Sequence, residues 1–111
     1  MLDKFESEVM QRIIREDLLI SDLLEKQYRV AKVINRHFTG VGFFTYYEIF
    51  DKNLKLTERL NFEMGIVQAR IDGLAHGMGF ILFVREGFID MLEGYTYGEP
   101  WSNTVVAYSL E

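Results

Sequence analysis

The first 26 residues show helical periodicity. Apolar side chains recur at Leu2, Phe5, Val9 and Ile13, with charged residues between them, and this three-to-four spacing is typical of an amphipathic helix. A second apolar set follows, and Ser21 or Asp22 could cap a helix that starts there. The pattern predicts either one bent helix or two short ones. The second set comprises Leu18, Leu19, Leu23 and Leu24.

Residues 27–38 carry conflicting signals. Glu25 and Arg29 are spaced to form an i,i+4 ion pair that would continue a helix. The β-branched and aromatic side chains that follow favour a strand instead. A glycine-containing connection at 39–42 leads into the strand-like run 43–50, and a hairpin of the two segments would bury both. We favour the strand, although the helix stays open.

Turn signals and apolar runs then alternate to the end of the chain. The runs 79–84 and 88–92 flank Arg85-Glu86-Gly87, and this is the clearest hairpin of the sequence. Two further runs, 62–71 and 104–110, also have strand character. Helices that precede strands, without βα alternation, predict an α+β fold. We expect one domain over residues 1–111, with the N-terminal helix or helices packed on an antiparallel sheet of about five or six strands.

Composition and charge narrow the class of protein. The chain has 111 residues, no cysteine and a net charge of −5. The whole excess lies in residues 62–111, where two basic side chains stand against seven acidic ones. Such a charge disfavours nucleic-acid binding and favours basic partners. Neither a signal peptide nor an apolar run of membrane-spanning length is visible, so we expect a cytoplasmic protein without a membrane segment.

The sequence offers few residues for catalysis or metal binding. Its histidines, His37 and His76, lack neighbours at the spacing of metal ligands, and no serine lies in a nucleophile elbow. The glycines around His76 leave room for a ligand, but they match neither a dinucleotide motif nor a P-loop. We therefore expect no metal, no cofactor and no catalytic residue, although enzymatic activity stays open.

The stretch 90–101 contains a mixture of residue types that protein-binding surfaces favour. Tyrosine, tryptophan and acidic side chains cluster there around glycines and the single proline. The candidate partner-binding residues are Glu93, Tyr95, Tyr97, Glu99 and Trp101. A structural role is the alternative, in which Trp101 and one tyrosine cover the end of the core.

Residues 79–101, GFILFVREGFIDMLEGYTYGEPW, resemble a segment of small bacterial proteins of uncharacterised function. Residues 39–45, TGVGFFT, are similar to an earlier motif of the same group, and the two segments span under a third of the chain. This resemblance implies no catalytic residues. In size and acidity the chain also resembles immunity proteins, which neutralise toxins by direct binding.

Two functional hypotheses follow. The first is a non-enzymatic protein-binding domain, such as an immunity-type protein whose acidic half steers a basic toxin domain onto the loop 93–101. The alternative is a small enzyme or ligand-binding domain with a pocket near His76, Tyr95 and Tyr97. Self-association as a homodimer, through a strand edge or an aromatic patch, is also open.

Overall fold

The N-terminal part forms two separate helices in the computed structural model, which describes residues 2–111. Helix α1 spans Leu2–Ile14 and helix α2 spans Ser21–Val30. Between them the Asp17 side chain accepts a hydrogen bond from the backbone N–H of Leu19, a local bond that competes with helix continuation. Leu18 and Leu19 lie in this connection and are exposed, so only part of the second apolar set reaches the core.

The ambiguous segment 27–38 contains both structures. Helix α2 continues to Val30, supported by the ion pair of Arg29 with Glu25 at 3.0 Å. The backbone becomes extended at Ala31, and strand β1 occupies Lys32–Phe38, where β-branched and aromatic residues dominate. The favoured strand is therefore right for 32–38 and wrong for 28–30, where the helix continues, and β1 is largely exposed rather than buried by the hairpin.

The strands form one antiparallel sheet of seven, slightly larger than the five or six predicted. The order is β1-β2-β6-β5-β4-β7, and β3 pairs with β5 beside this path. The run 62–71 breaks into two strands at Gly65, whose backbone passes so close to β5 that a Cβ there would lie 2.5 Å from the Phe80 carbonyl oxygen. The remaining strands are β2 (Gly42–Glu48), β3 (Phe62–Met64), β4 (Gln68–Ile71), β5 (Met78–Arg85), β6 (Phe88–Thr96) and β7 (Tyr108–Leu110).

Both helices cover the same face of the sheet. The Phe5 ring of α1 meets the Phe80 ring of β5 at 5.6 Å, and the Tyr28 ring of α2 meets the Tyr47 ring of β2 at 6.0 Å. Alternate residues of the central strands are buried under the helices, as strand geometry requires. The central core residues on this face are Phe43, Thr45, Phe80, Leu82, Val84, Ile89 and Leu92.

The intervening side chains of the central strands point to the opposite side. We call this side the open face, because no helix of residues 2–111 packs on it. Its side chains are half-buried by one another and are mostly aromatic or aliphatic. Within the same residues, no helix combines the length and the apolar character needed to cross a membrane. The open face comprises Phe44, Tyr46, Ile81, Phe83, Met91, Glu93 and Tyr95.

Candidate functional site

The five predicted partner-binding residues occupy three different environments. Glu93 and Tyr95 lie on the open face, on strand β6. Tyr97 follows at the end of that strand and is exposed, while Glu99 belongs to the loop beyond it. Trp101 returns to the helix-covered side and is only 7% exposed. The structure therefore brings together Glu93, Tyr95 and Tyr97, and places Glu99 and Trp101 elsewhere.

A glycine beneath Tyr95 sets the shape of the open face. Gly79 is the cross-strand partner of Tyr95, and a Cβ at position 79 would lie 2.6 Å from the Tyr95 ring. The ring can therefore lie against the sheet only because residue 79 is glycine. Tyr97 meets Tyr95 edge-on, with ring centroids 5.6 Å apart, and its hydroxyl donates to the Gln68 side-chain oxygen at 2.6 Å. The two tyrosines thus form a fixed aromatic patch.

Glu93 places a negative charge in the middle of these apolar side chains. Burial raises the pKa of the Glu93 carboxyl, and the negative charge of Glu63 raises it further. Within residues 2–111 neither carboxylate takes part in an ion pair. The open face therefore carries one acidic group that a cation would stabilise, and Glu63 of β3, the cross-strand partner of Phe83, lies beside it.

Replacing Glu93 with glutamine should stabilise the protein at neutral pH. The folded state holds the Glu93 pKa above its ordinary value, so the ionised carboxylate costs stability once the pH exceeds that pKa. We expect Glu93→Gln to raise the free energy of unfolding by up to about 0.5 kcal/mol at pH 7, with the gain fading at pH 3. Urea unfolding at the two pH values measures it, and Glu8→Gln on the exposed face of α1 is the matched control. A loss of stability at pH 7 would contradict the prediction.

Trp101 and Glu99 both fasten the loop in which they lie. The Trp101 ring packs on Phe43 at 5.5 Å, and its Nε1 donates to the Thr104 carbonyl oxygen at 3.1 Å. The Glu99 carboxylate accepts from the backbone N–H groups of Ala75 and His76 at 2.8 and 2.9 Å. These two hydrogen bonds lower the pKa of Glu99. In this structure both residues therefore have their own contacts within the chain.

His76 lines an open groove of about 640 Å³ at the β4–β7 end of the sheet. Asp72, Arg70 and Tyr108 share its walls, whereas Tyr95 and Tyr97 do not. The other histidine, His37, stacks on Phe44 at the edge of the open face, with ring centroids 6.4 Å apart. Residues 2–111 contain no group of three or more acidic or histidine side chains placed to hold a metal ion.

Two polar side chains are buried beneath the helices and were not predicted from the sequence. The Glu6 side chain is buried and receives hydrogen bonds from Arg36 and Thr45. Gln27 is completely buried and bonds three backbone groups of neighbouring loops and strands. A signal was present for each, because Glu6 falls on the same helical stripe as Phe5 and Val9, and Gln27 on that of Leu24.

Comparison with known proteins provides no relative from which a function could be transferred. No protein-family model, no curated protein and no solved structure matches this chain. The resemblance of residues 79–101 to small bacterial proteins accordingly stays an expectation.

Proposed function

We propose that this chain is a protein-binding domain that docks a basic surface of a partner on its open face, as an immunity-type protein would cover a toxin. The observation that supports the proposal is an uncovered sheet face of aromatic and aliphatic side chains with an unpaired carboxylate among them. Each part of that observation favours a protein partner for a separate reason.

The apolar character of the open face is unusual for a solvated sheet surface. An antiparallel sheet with one covered face normally presents polar residues on the other. Here Phe44, Tyr46, Ile81, Phe83 and Met91 lie on the uncovered side and are half-buried. Aromatic residues and methionine are enriched at protein interfaces, and burial of such a surface stabilises a complex. The composition of the face therefore supports docking of another protein.

The charge of the open face supports a basic partner. The negative charge of Glu63 acts on Glu93 across β5, and a positive charge placed between the two would favour the ionised form of Glu93. The net charge of −5 adds long-range attraction for a basic surface and speeds the encounter. A lysine or arginine of the partner that reaches Glu93 would lower the Glu93 pKa, so binding should weaken as the pH falls through that pKa.

The His76 groove supports the second candidate function, a small ligand-binding or enzymatic site. Its volume of about 640 Å³ falls within the usual range of ligand pockets, and Arg70, Asp72 and His76 supply polar groups. The groove lies apart from Glu93 and Tyr46, so substitutions at the two places separate the candidates.

Substitutions on the open face should weaken partner binding while substitutions elsewhere should not. A partner retained by the tagged protein from its native lysate is purified, and its affinity is measured by calorimetry at low and high salt. We expect Glu93→Lys and Tyr46→Ala to raise the dissociation constant at least about tenfold, as expected of interface anchors. Glu8→Lys, which makes the same charge reversal on α1, and His76→Ala should bind normally.

Thermal unfolding of each variant is the control that tests whether the fold is kept. Equal binding by the wild type, Glu93→Lys and Tyr46→Ala would contradict docking on the open face. Loss of binding or of ligand-induced stabilisation in His76→Ala alone would favour the groove.

A further inference from the structure

Strand β1 is a long and exposed edge of the sheet. It spans seven residues and pairs only with β2 within residues 2–111. The backbone N–H of Thr39 donates to the Gly42 carbonyl oxygen, which fixes the alternation of the hairpin. By that alternation the backbone groups of Phe38 and Arg36 point away from β2. These groups form a row that another strand can pair with.

Exposed apolar side chains concentrate on β1 and beside its two ends, at Val30, which ends α2, and at Val41 in the β1–β2 turn. Five of the twelve large exposed apolar residues lie between positions 30 and 41, each exposed by 38% to 58%. An aromatic side chain covers about 150–250 Å² and an aliphatic one less, so the five together expose on the order of 400 Å² of apolar surface. That is about half of what one partner contributes to a standard protein interface, before the backbone and polar side chains are counted. The five are Val30, Val33, Ile34, Phe38 and Val41.

We propose that two copies of this chain associate by antiparallel pairing of their β1 strands, about a two-fold axis at Arg36. In this register Ile34 of each copy lies opposite Phe38 of the other, and Asn35 lies opposite His37. The outward-pointing backbone groups at position 36 then exchange hydrogen bonds across the axis. The pairing is self-complementary because one apolar end of the edge meets the other apolar end.

Charge does not oppose this pairing at its centre. The two Arg36 side chains would be close to the axis, but each is already ion-paired with Glu6 and Asp3 of its own chain, with Nη2 at 2.6 and 2.7 Å from their oxygens. Asn35 carries no charge. Like charges facing one another are therefore avoided at the centre of the edge.

The irregularity at Ile34 determines the length of the pairing. The β1–β2 register shifts between Val33 and Asn35, as at a β-bulge, and bulges limit pairing at sheet edges. The regularly paired stretch is Asn35–Phe38, and Ile34, the residue at the irregularity, stands at the end of the segment that the two-fold register uses. A head-to-tail assembly would require β1 of one copy to pair with a different edge strand of the next copy. The other candidate strands, β3 and β7, have only three residues each, so such pairing is disfavoured.

The dimer would join the two sheets into one continuous sheet, and both open faces would belong to that sheet. This inference does not depend on the open face having a partner, and its test needs only the purified chain.

The mass of the protein as a function of concentration tests the proposal. Light scattering and sedimentation equilibrium should show a reversible dimer of the wild type. Ile34→Lys should raise the dimer dissociation constant at least about tenfold, because it places a charge opposite Phe38. Ile66→Lys is the matched control, since Ile66 is 81% exposed between β3 and β4, and it should dimerise as the wild type does.

Hydrogen exchange locates the contact, because the Arg36 and Phe38 amides should become more protected as the wild type dimerises. A wild type that stays monomeric at every concentration would overturn the proposal, as would an Ile34→Lys variant that dimerises unchanged. A monomer whose β1 amides are protected only by an added protein would assign the edge to strand addition by a different partner, and would also overturn it.

Discussion

Replacing Arg36 with methionine is expected to lower the free energy of unfolding by about 3–5 kcal/mol. The Arg36 guanidinium binds the Glu6 carboxylate through Nε at 3.1 Å and Nη2 at 2.6 Å. Glu6 is 2% exposed, so removal of the guanidinium leaves a carboxylate charge without its main partner inside the protein. The Glu6 hydrogen bonds raise the pKa of Arg36 above its ordinary value, and Asp3 adds to this. Arg36 is therefore charged throughout the physiological pH range.

A second variant separates the ion pair from its burial cost. Glu6→Leu combined with Arg36→Met removes both charges, and such replacements of buried pairs are often neutral or stabilising. We therefore expect the double variant to recover much of the stability that Arg36→Met loses. Urea unfolding at pH 7 gives the free energy of unfolding of the wild type, of Arg36→Met and of the double variant. Arg29→Met, which breaks only the exposed pair with Glu25, should cost under about 1 kcal/mol. A comparable loss in Arg29→Met and Arg36→Met would contradict the argument.

The order of helices and strands could be predicted from the sequence, because each element is specified by a pattern of residues that are close together in the chain. The apolar spacing of α1 and the glycine turn between β5 and β6 each specify one local geometry. The strands 62–64 and 68–71 could not be separated in advance. Their boundary depends on the close approach of Gly65 to β5, a contact between residues distant in sequence. Strand β7 is shorter than the run 104–110 predicted, since pairing with β4 involves only Tyr108–Leu110.

The candidate site was harder to predict for a different physical reason. Strands β5 and β6 carry apolar residues on both faces, so their sequence cannot show which face the helices cover. The composition of the stretch 90–101 indicated Trp101 and Glu93 equally as partner-binding residues, because residue type does not show in which direction a side chain points. The structure separates them by the path of the chain after Thr96, which returns Trp101 to the core beside Phe43. The open face thus emerges only once the helices have been placed.

Gln27 determines how α2 is placed, and its replacement by methionine should cost about 3 kcal/mol of stability. The Gln27 Nε2 donates to the carbonyl oxygens of Leu54 and Gly87, and its Oε1 accepts from the Ile89 N–H, all at 2.8 Å. Methionine has a similar volume but cannot make these three bonds. The Ile89 N–H would then stay buried without that partner, and the Leu54 carbonyl would stay partly buried without it, so each carries a desolvation penalty.

Two measurements distinguish this hydrogen-bonding role from simple packing. Urea unfolding should place Gln27→Met well below the wild type, while Gln11→Met on the exposed side of α1 should change stability by no more than about 0.5 kcal/mol. Hydrogen exchange should show the Ile89 amide less protected in Gln27→Met, because its acceptor is lost. If Gln27→Met unfolds like the wild type, then the three bonds contribute nothing net, and the packing of Leu24 alone would hold α2 against the β5–β6 hairpin.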